Sequence, residues 1–87
     1  MDDLATLPNI GPTLAAKLRE SGITSRDELA RLGSVGAMLR ISRGSKVVHF
    51  NMLYALEGAI RGIRWHSIPS EERAKLREEI GRAESGR

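Results

Sequence analysis

Apolar residues recur at helical spacing along almost the whole chain, and no segment alternates with the period of two that marks a strand, so every element is predicted to be a helix. Leu4 and Leu7 belong to a short opening helix, which Pro8 ends by pushing Leu7 out of the helical region. Pro12 then takes the first position of a second helix, where its missing N–H costs nothing. Leu14, Ala15 and Leu18 form the apolar stripe of that helix, and Gly22 closes it. Thr24 or Ser25 caps a third helix, with Asp27 and Glu28 in its first turn, Leu29 and Leu32 on its inner face, and Gly33 at its end. Ser34 caps a short fourth helix carrying Val35, Met38 and Leu39, and Ser42-Arg43-Gly44-Ser45 reads as loop.

The longest helix is expected from Lys46 to Arg61. Its apolar positions, from Val47 and Val48 through Phe50, Leu53 and Leu56 to Ile60, cover most of its circumference, the mark of a central buried helix. Gly58 inside it costs about 1 kcal/mol relative to alanine, so another backbone should pass close there. The strip Asn51–Tyr54–Glu57–Gly58–Arg61 reads either as a polar face of this helix or as a partner-binding strip. A connector from Gly62 to Pro69 leads to a last helix with Leu76 and Ile80, where Glu71–Lys75 and Glu78–Arg82 stand at pairing intervals. Residues 82–87 are expected to fray, leaving 1–81 as one all-α domain of five to six helices. A repeat links Leu4-Ala5-x-Leu7-x-x-Ile10-Gly11-x-x-Leu14 to Leu29-Ala30-x-Leu32-x-x-Val35-Gly36-x-x-Leu39, which would stack two similar helical corners.

The segment between the first two helices carries the most chemistry. Asn9 and Gly11 tolerate left-handed backbone, which so short a reversal demands. The N-terminus of the helix that follows offers unpaired N–H groups and the positive end of a dipole, a place for an anion. Leu4, Leu7, Ile10 and Gly11 resemble the helix-hairpin-helix motif, with Asn9 where that motif has its first glycine. The resemblance implies that backbone amides at Asn9, Ile10 and Gly11, with Thr13, contact nucleic-acid phosphates without reading sequence. The alternative is a turn that only packs helices.

Composition narrows the class. Eighty-seven residues make one domain. There is no cysteine, so neither a disulfide framework nor a thiolate metal site is expected, and two histidines without partnering carboxylates predict no metal and no cofactor. No run approaches the roughly 20 apolar residues that span a bilayer, and the acidic N-terminus is unlike a signal peptide, so a cytoplasmic protein without membrane contact is expected. No nucleophile and base stand paired, so no enzyme activity is expected. Net charge is +3. Residues 1–39 hold four bases against five acids, residues 40–66 hold Arg40, Arg43, Lys46, Arg61 and Arg64 against Glu57 alone, and the remainder is balanced. The positive field thus lies away from the reversal in sequence. Trp65, between Arg64 and His66, reads as a lid on the core rather than as a stacking platform.

Leu7 to Leu18, Gly22-Ile-Thr24, Leu32-Gly-x-Val-Gly36, Asn51-Met-Leu-Tyr-Ala-Leu-Glu-Gly58 and Gly62-Ile-Arg-Trp65 together resemble the C-terminal domain of the TfoX/Sxy competence regulators. The resemblance implies an all-helical, helix-hairpin-helix-like fold, which in that family often follows an N-terminal domain; here it is expected to stand alone from Met1. Two partner classes follow. The first is nucleic acid, most simply DNA bound without sequence preference, with Asn9, Ile10, Gly11, Thr13 and Lys17 at the corner and Arg40, Arg43, Lys46, Arg61 and Arg64 supplying the field. The second is a regulatory protein or a second copy in a weak homodimer, with the corner purely structural.

Overall fold

In a computed structural model, residues 4–42 and 50–85 are described. Among them are four α-helices and no strand: α1 (Pro12–Glu20), α2 (Arg26–Ile41), α3 (Phe50–Arg61) and α4 (Ser70–Ser85), with 3-10 turns at Leu4–Thr6 and Trp65–Ser67. The opening segment is a single 3-10 turn, closed by Leu7 N–H donating to Leu4 C=O at 3.1 Å, because Pro8 arrives before an α-ladder can form. The third and fourth helices expected from sequence lie within one element, α2, broken only at Gly33 (φ 77°, ψ 165°). With no loop residues between them, the chain re-enters the helix one residue after the break. In the repeat, a left-handed residue interrupts each copy, Asn9 in the first and Gly33 in the second.

The helix ends follow local chemistry. Pro12 opens α1 after an extended Gly11 (φ −94°, ψ −177°), so Asn9 (φ 69°) alone takes the left-handed step that Gly11 was also suited to take. Gly22 (φ 84°) ends α1, with its N–H to Arg19 C=O and the Ile23 N–H to Leu18 C=O at 2.9 Å, which lets Ile23 turn back into the core. Ser25 caps α2 by accepting from the Glu28 N–H at 3.2 Å, while the Glu28 carboxylate reaches back to the Thr24 hydroxyl (2.6 Å) and N–H (3.2 Å). Those bonds from Thr24, then Ser25 and the charge of Arg31, hold the Glu28 carboxyl below the ordinary glutamate range.

The core is built around α3, which buries Leu53, Tyr54, Ala55, Leu56, Gly58 and Ala59. Helix α2 lies along it through Leu29, Ala37 and Met38, and α4 covers both through Leu76 and Ile80. Leu4, Ile10, Leu18 and Ile23 seal one end. Each large side chain taken fully from water contributes about 1.5–3 kcal/mol, so these contacts rather than helix propensity set the geometry. Tyr54 and Gly58 are buried while Asn51 and Arg61 are exposed, so the strip along α3 divides between core and surface.

Candidate nucleic-acid interface

The reversal before α1 is held from inside the protein. Ile10 N–H donates to Leu7 C=O at 3.3 Å, so the Ile10 amide is used within the turn, and its side chain is buried. Asn9 spends its carboxamide on the far connector: Nδ2 donates to Ile63 C=O at 2.9 Å and, more distantly, to Ala55 C=O at 3.4 Å, and Oδ1 accepts from the Trp65 N–H at 3.1 Å. Gly58 makes room for this clamp. A Cβ there would stand 2.5 Å from Asn9 Nδ2, 2.7 Å from Ile63 O and 3.2 Å from Trp65 N. The close approach expected at Gly58 is present, and Asn9 is its cause. The signal in the sequence was the asparagine itself, a residue that accepts left-handed backbone as glycine does yet brings a donor and an acceptor.

This clamp decides which expected site residues meet. Gly11 and Thr13 are exposed at the start of α1, where no side chain caps the helix, and Pro12 contributes no N–H. Lys17 is exposed one turn beyond Thr13, on the same face. Arg64 is exposed and adjoins Trp65, so the clamp draws it to the reversal although 55 residues separate it from Asn9 in the chain. Arg40 stands elsewhere: its Nη1 lies 3.4 Å from Ser21 O, beside the opposite end of the nine-residue α1. Arg61 is committed within the protein, its Nε 2.6 Å from Glu57 Oε2 and its Nη1 2.5 Å from Glu72 Oε1. Bonding to Glu57 and then to Glu72 raises the pKa of its guanidinium further above an already high value. Arg43 and Lys46 lie outside the described residues.

The connector brings a group that charge counting did not place. The rings of Trp65 and His66 stack with centroids 4.0 Å apart, and Trp65 stacks in turn on Tyr54 at 5.7 Å. Arg73 of α4 holds its guanidinium carbon 5.8 Å and 5.9 Å from the Tyr54 and Trp65 ring centres, and Arg77 donates to the Tyr54 hydroxyl at 2.7 Å. Trp65 is half-buried against the core, in keeping with a lid. Among the described residues no cluster of His, Asp and Glu is placed to hold a metal ion, and no helix is long and apolar enough to cross a membrane.

Fold and corner define the class: an all-helical domain whose opening turn is buckled onto the connector between its last two helices. The chain belongs to the TfoX C-terminal domain family, whose family model matches residues 1–80. It is 37% identical over 75 residues to protein Sxy of Escherichia coli (strain K12), an alignment covering 86% of this chain and 36% of Sxy. The chain thus spans about a third of the length of that relative. It is also similar to the triclinic crystal structure of an uncharacterized protein from Listeria monocytogenes, with a TM-score of 0.84, 41% identity and coverage of 93% of this chain and 92% of that one. A tetragonal crystal structure of a Listeria monocytogenes protein of unknown function is similar with a TM-score of 0.82, 40% identity and coverage of 92% and 98%.

Proposed function

We propose that this domain is a non-enzymatic, cytoplasmic regulatory or accessory module that grips nucleic acid without sequence preference, through the N-terminus of α1 and the connector clamped beside it. The observation that carries the reading is the Asn9 clamp. It ties the reversal that leads into the uncapped α1 to Ile63 and Trp65, the two chain neighbours of exposed Arg64, and Lys17 is exposed on α1 itself. Amides of the first turn suit phosphate oxygens by direction and dipole, and the exposed cations Lys17 and Arg64 suit them by charge. Membership of the TfoX C-terminal domain family, with the resemblance to competence regulators that it carries, fits a module that works at genes.

Neutralising about two or three phosphates makes log affinity fall with log salt at a slope of about −2 to −3. Anisotropy of a labelled duplex titrated at several salt concentrations reads that slope directly. Replacing Lys17 and Arg64 by alanine should flatten it by nearly two, whereas replacing Arg40 should leave it almost unchanged. No binding at low salt, or a slope indifferent to Lys17 and Arg64, rejects the reading. A protein-interaction module is favoured instead by Phe50, a large apolar side chain left 46% exposed. That reading expects a dimer or heteromeric complex by sedimentation that Phe50→Ser abolishes.

A further inference from the structure

We infer that the ring column on the connector is a landing face for an unpaired nucleobase, so that the domain prefers single-stranded nucleic acid over duplex. This deepens the nucleic-acid reading and rests on it. Burial falls along the three rings: Tyr54 is buried, Trp65 half-buried and His66 exposed, so the imidazole is the ring that meets solvent most fully. Three stacked rings held by a clamped backbone form a stiff support, because Trp65 is fixed through its own N–H to Asn9. Two cations stand beside the inner rings. Arg73 lies over the two inner rings, its Nε buried with no hydrogen-bond partner among the described residues, and Arg77 is held by the Tyr54 hydroxyl. Arg64, next along the chain, is exposed. Aromatic faces bordered by guanidinium groups are what a single strand requires, since every base has a π-face and every linkage a negative charge. Bases inside a duplex have both faces occupied by neighbours, so only an unpaired base can extend the column. The base face is common to DNA and RNA.

The test uses the full chain with three probes of about a dozen nucleotides, an oligo-dT strand, an oligo-U strand and a mixed-sequence duplex. Binding is read by anisotropy, and base approach by emission of Trp65, the only tryptophan in the chain. The single strands should bind more tightly than the duplex and perturb Trp65 emission, which the duplex should leave unchanged. Equal response to oligo-dT and oligo-U assigns recognition to the base face, and response to one alone identifies the nucleic acid served. His66→Ala should weaken single-strand binding about tenfold, while His66→Phe, which keeps a stacking ring, restores it. The imidazole is exposed in a short 3-10 turn, so both variants should fold, with helical circular dichroism as the check. Duplex binding with the expected salt slope, accompanied by single-strand binding that neither alters Trp65 emission nor responds to His66→Ala, overturns the landing face alone. Absence of binding to all three probes overturns the nucleic-acid reading with it.

Discussion

Replacing Asn9 by glycine separates what its backbone does from what its side chain does. Glycine keeps the left-handed step at φ 69°, so the reversal can still form. What disappears is the clamp: the 2.9 Å bond to Ile63 O and the 3.1 Å bond from the Trp65 N–H, while the 3.4 Å contact to Ala55 O is too long to weigh much. A hydrogen bond contributes about 0.5–1.5 kcal/mol net, and a partly buried group left without its partner costs about 1–3 kcal/mol. The loss should therefore total about 2–3 kcal/mol. Relief of left-handed strain and the larger unfolded-state entropy of glycine oppose each other at about 1 kcal/mol each. Asn9→Ala loses the same bonds and adds the left-handed penalty, for about 3–4 kcal/mol in all. In a domain of this size each kcal/mol moves Tm by about 4–8 °C, so Asn9→Gly should melt roughly 10–20 °C lower. Urea titration followed by circular dichroism should show a lower midpoint with an unchanged slope. A loss below about 0.5 kcal/mol for Asn9→Gly, or an alanine variant more stable than the glycine one, refutes the clamp as a stabilising contact.

Three further outcomes follow from the same geometry. Gly58→Ala gains about 1 kcal/mol of helix propensity but drives a Cβ against backbone atoms of Ile63 and Trp65, so a net loss of about 2 kcal/mol is expected by urea titration. Gly33→Ala meets no atom within 4 Å, yet φ 77° with ψ 165° is backbone that essentially only glycine adopts, so about 1–3 kcal/mol should be lost through conformation alone. Glu28, whose carboxyl is held below the ordinary range by Thr24, contributes stability that is present above that range and lost as pH falls through the lower folded value. Glu28→Gln should accordingly show a shallower acid-side decline in urea midpoint than the parent protein, and an unchanged pH profile would remove the capping role of the ionised carboxylate.

Local punctuation made most of the architecture legible. Pro12 as a helix start, Gly22 as an end, Ser25 as a cap and Gly33 as a break each act over one turn of chain, so residue type alone states them. The breadth of the apolar arc on α3 likewise foretold that it would be the buried helix, and Gly58 announced a crowded crossing. The site was less legible because its bonds are long-range. Asn9 reaches Trp65 across 56 positions, and Arg61 is drawn off to Glu72 of the next helix, so adding up charges by segment misjudges which cations are free. Arg40 belongs by sequence to the basic stretch but stands by the far end of α1. The stacking of Tyr54, Trp65 and His66 depends on how the connector folds back over α3, which no periodicity encodes.

Nucleic-acid recognition by this domain depends on the start of α1 meeting phosphate. Backbone amide resonances recorded during titration with a single-stranded oligonucleotide test this residue by residue. The largest shifts are expected at Gly11, Thr13 and Leu14, together with Arg64, and should shrink as salt is raised. Shifts gathered around Phe50, or none at the corner while the oligonucleotide is bound, would contradict it.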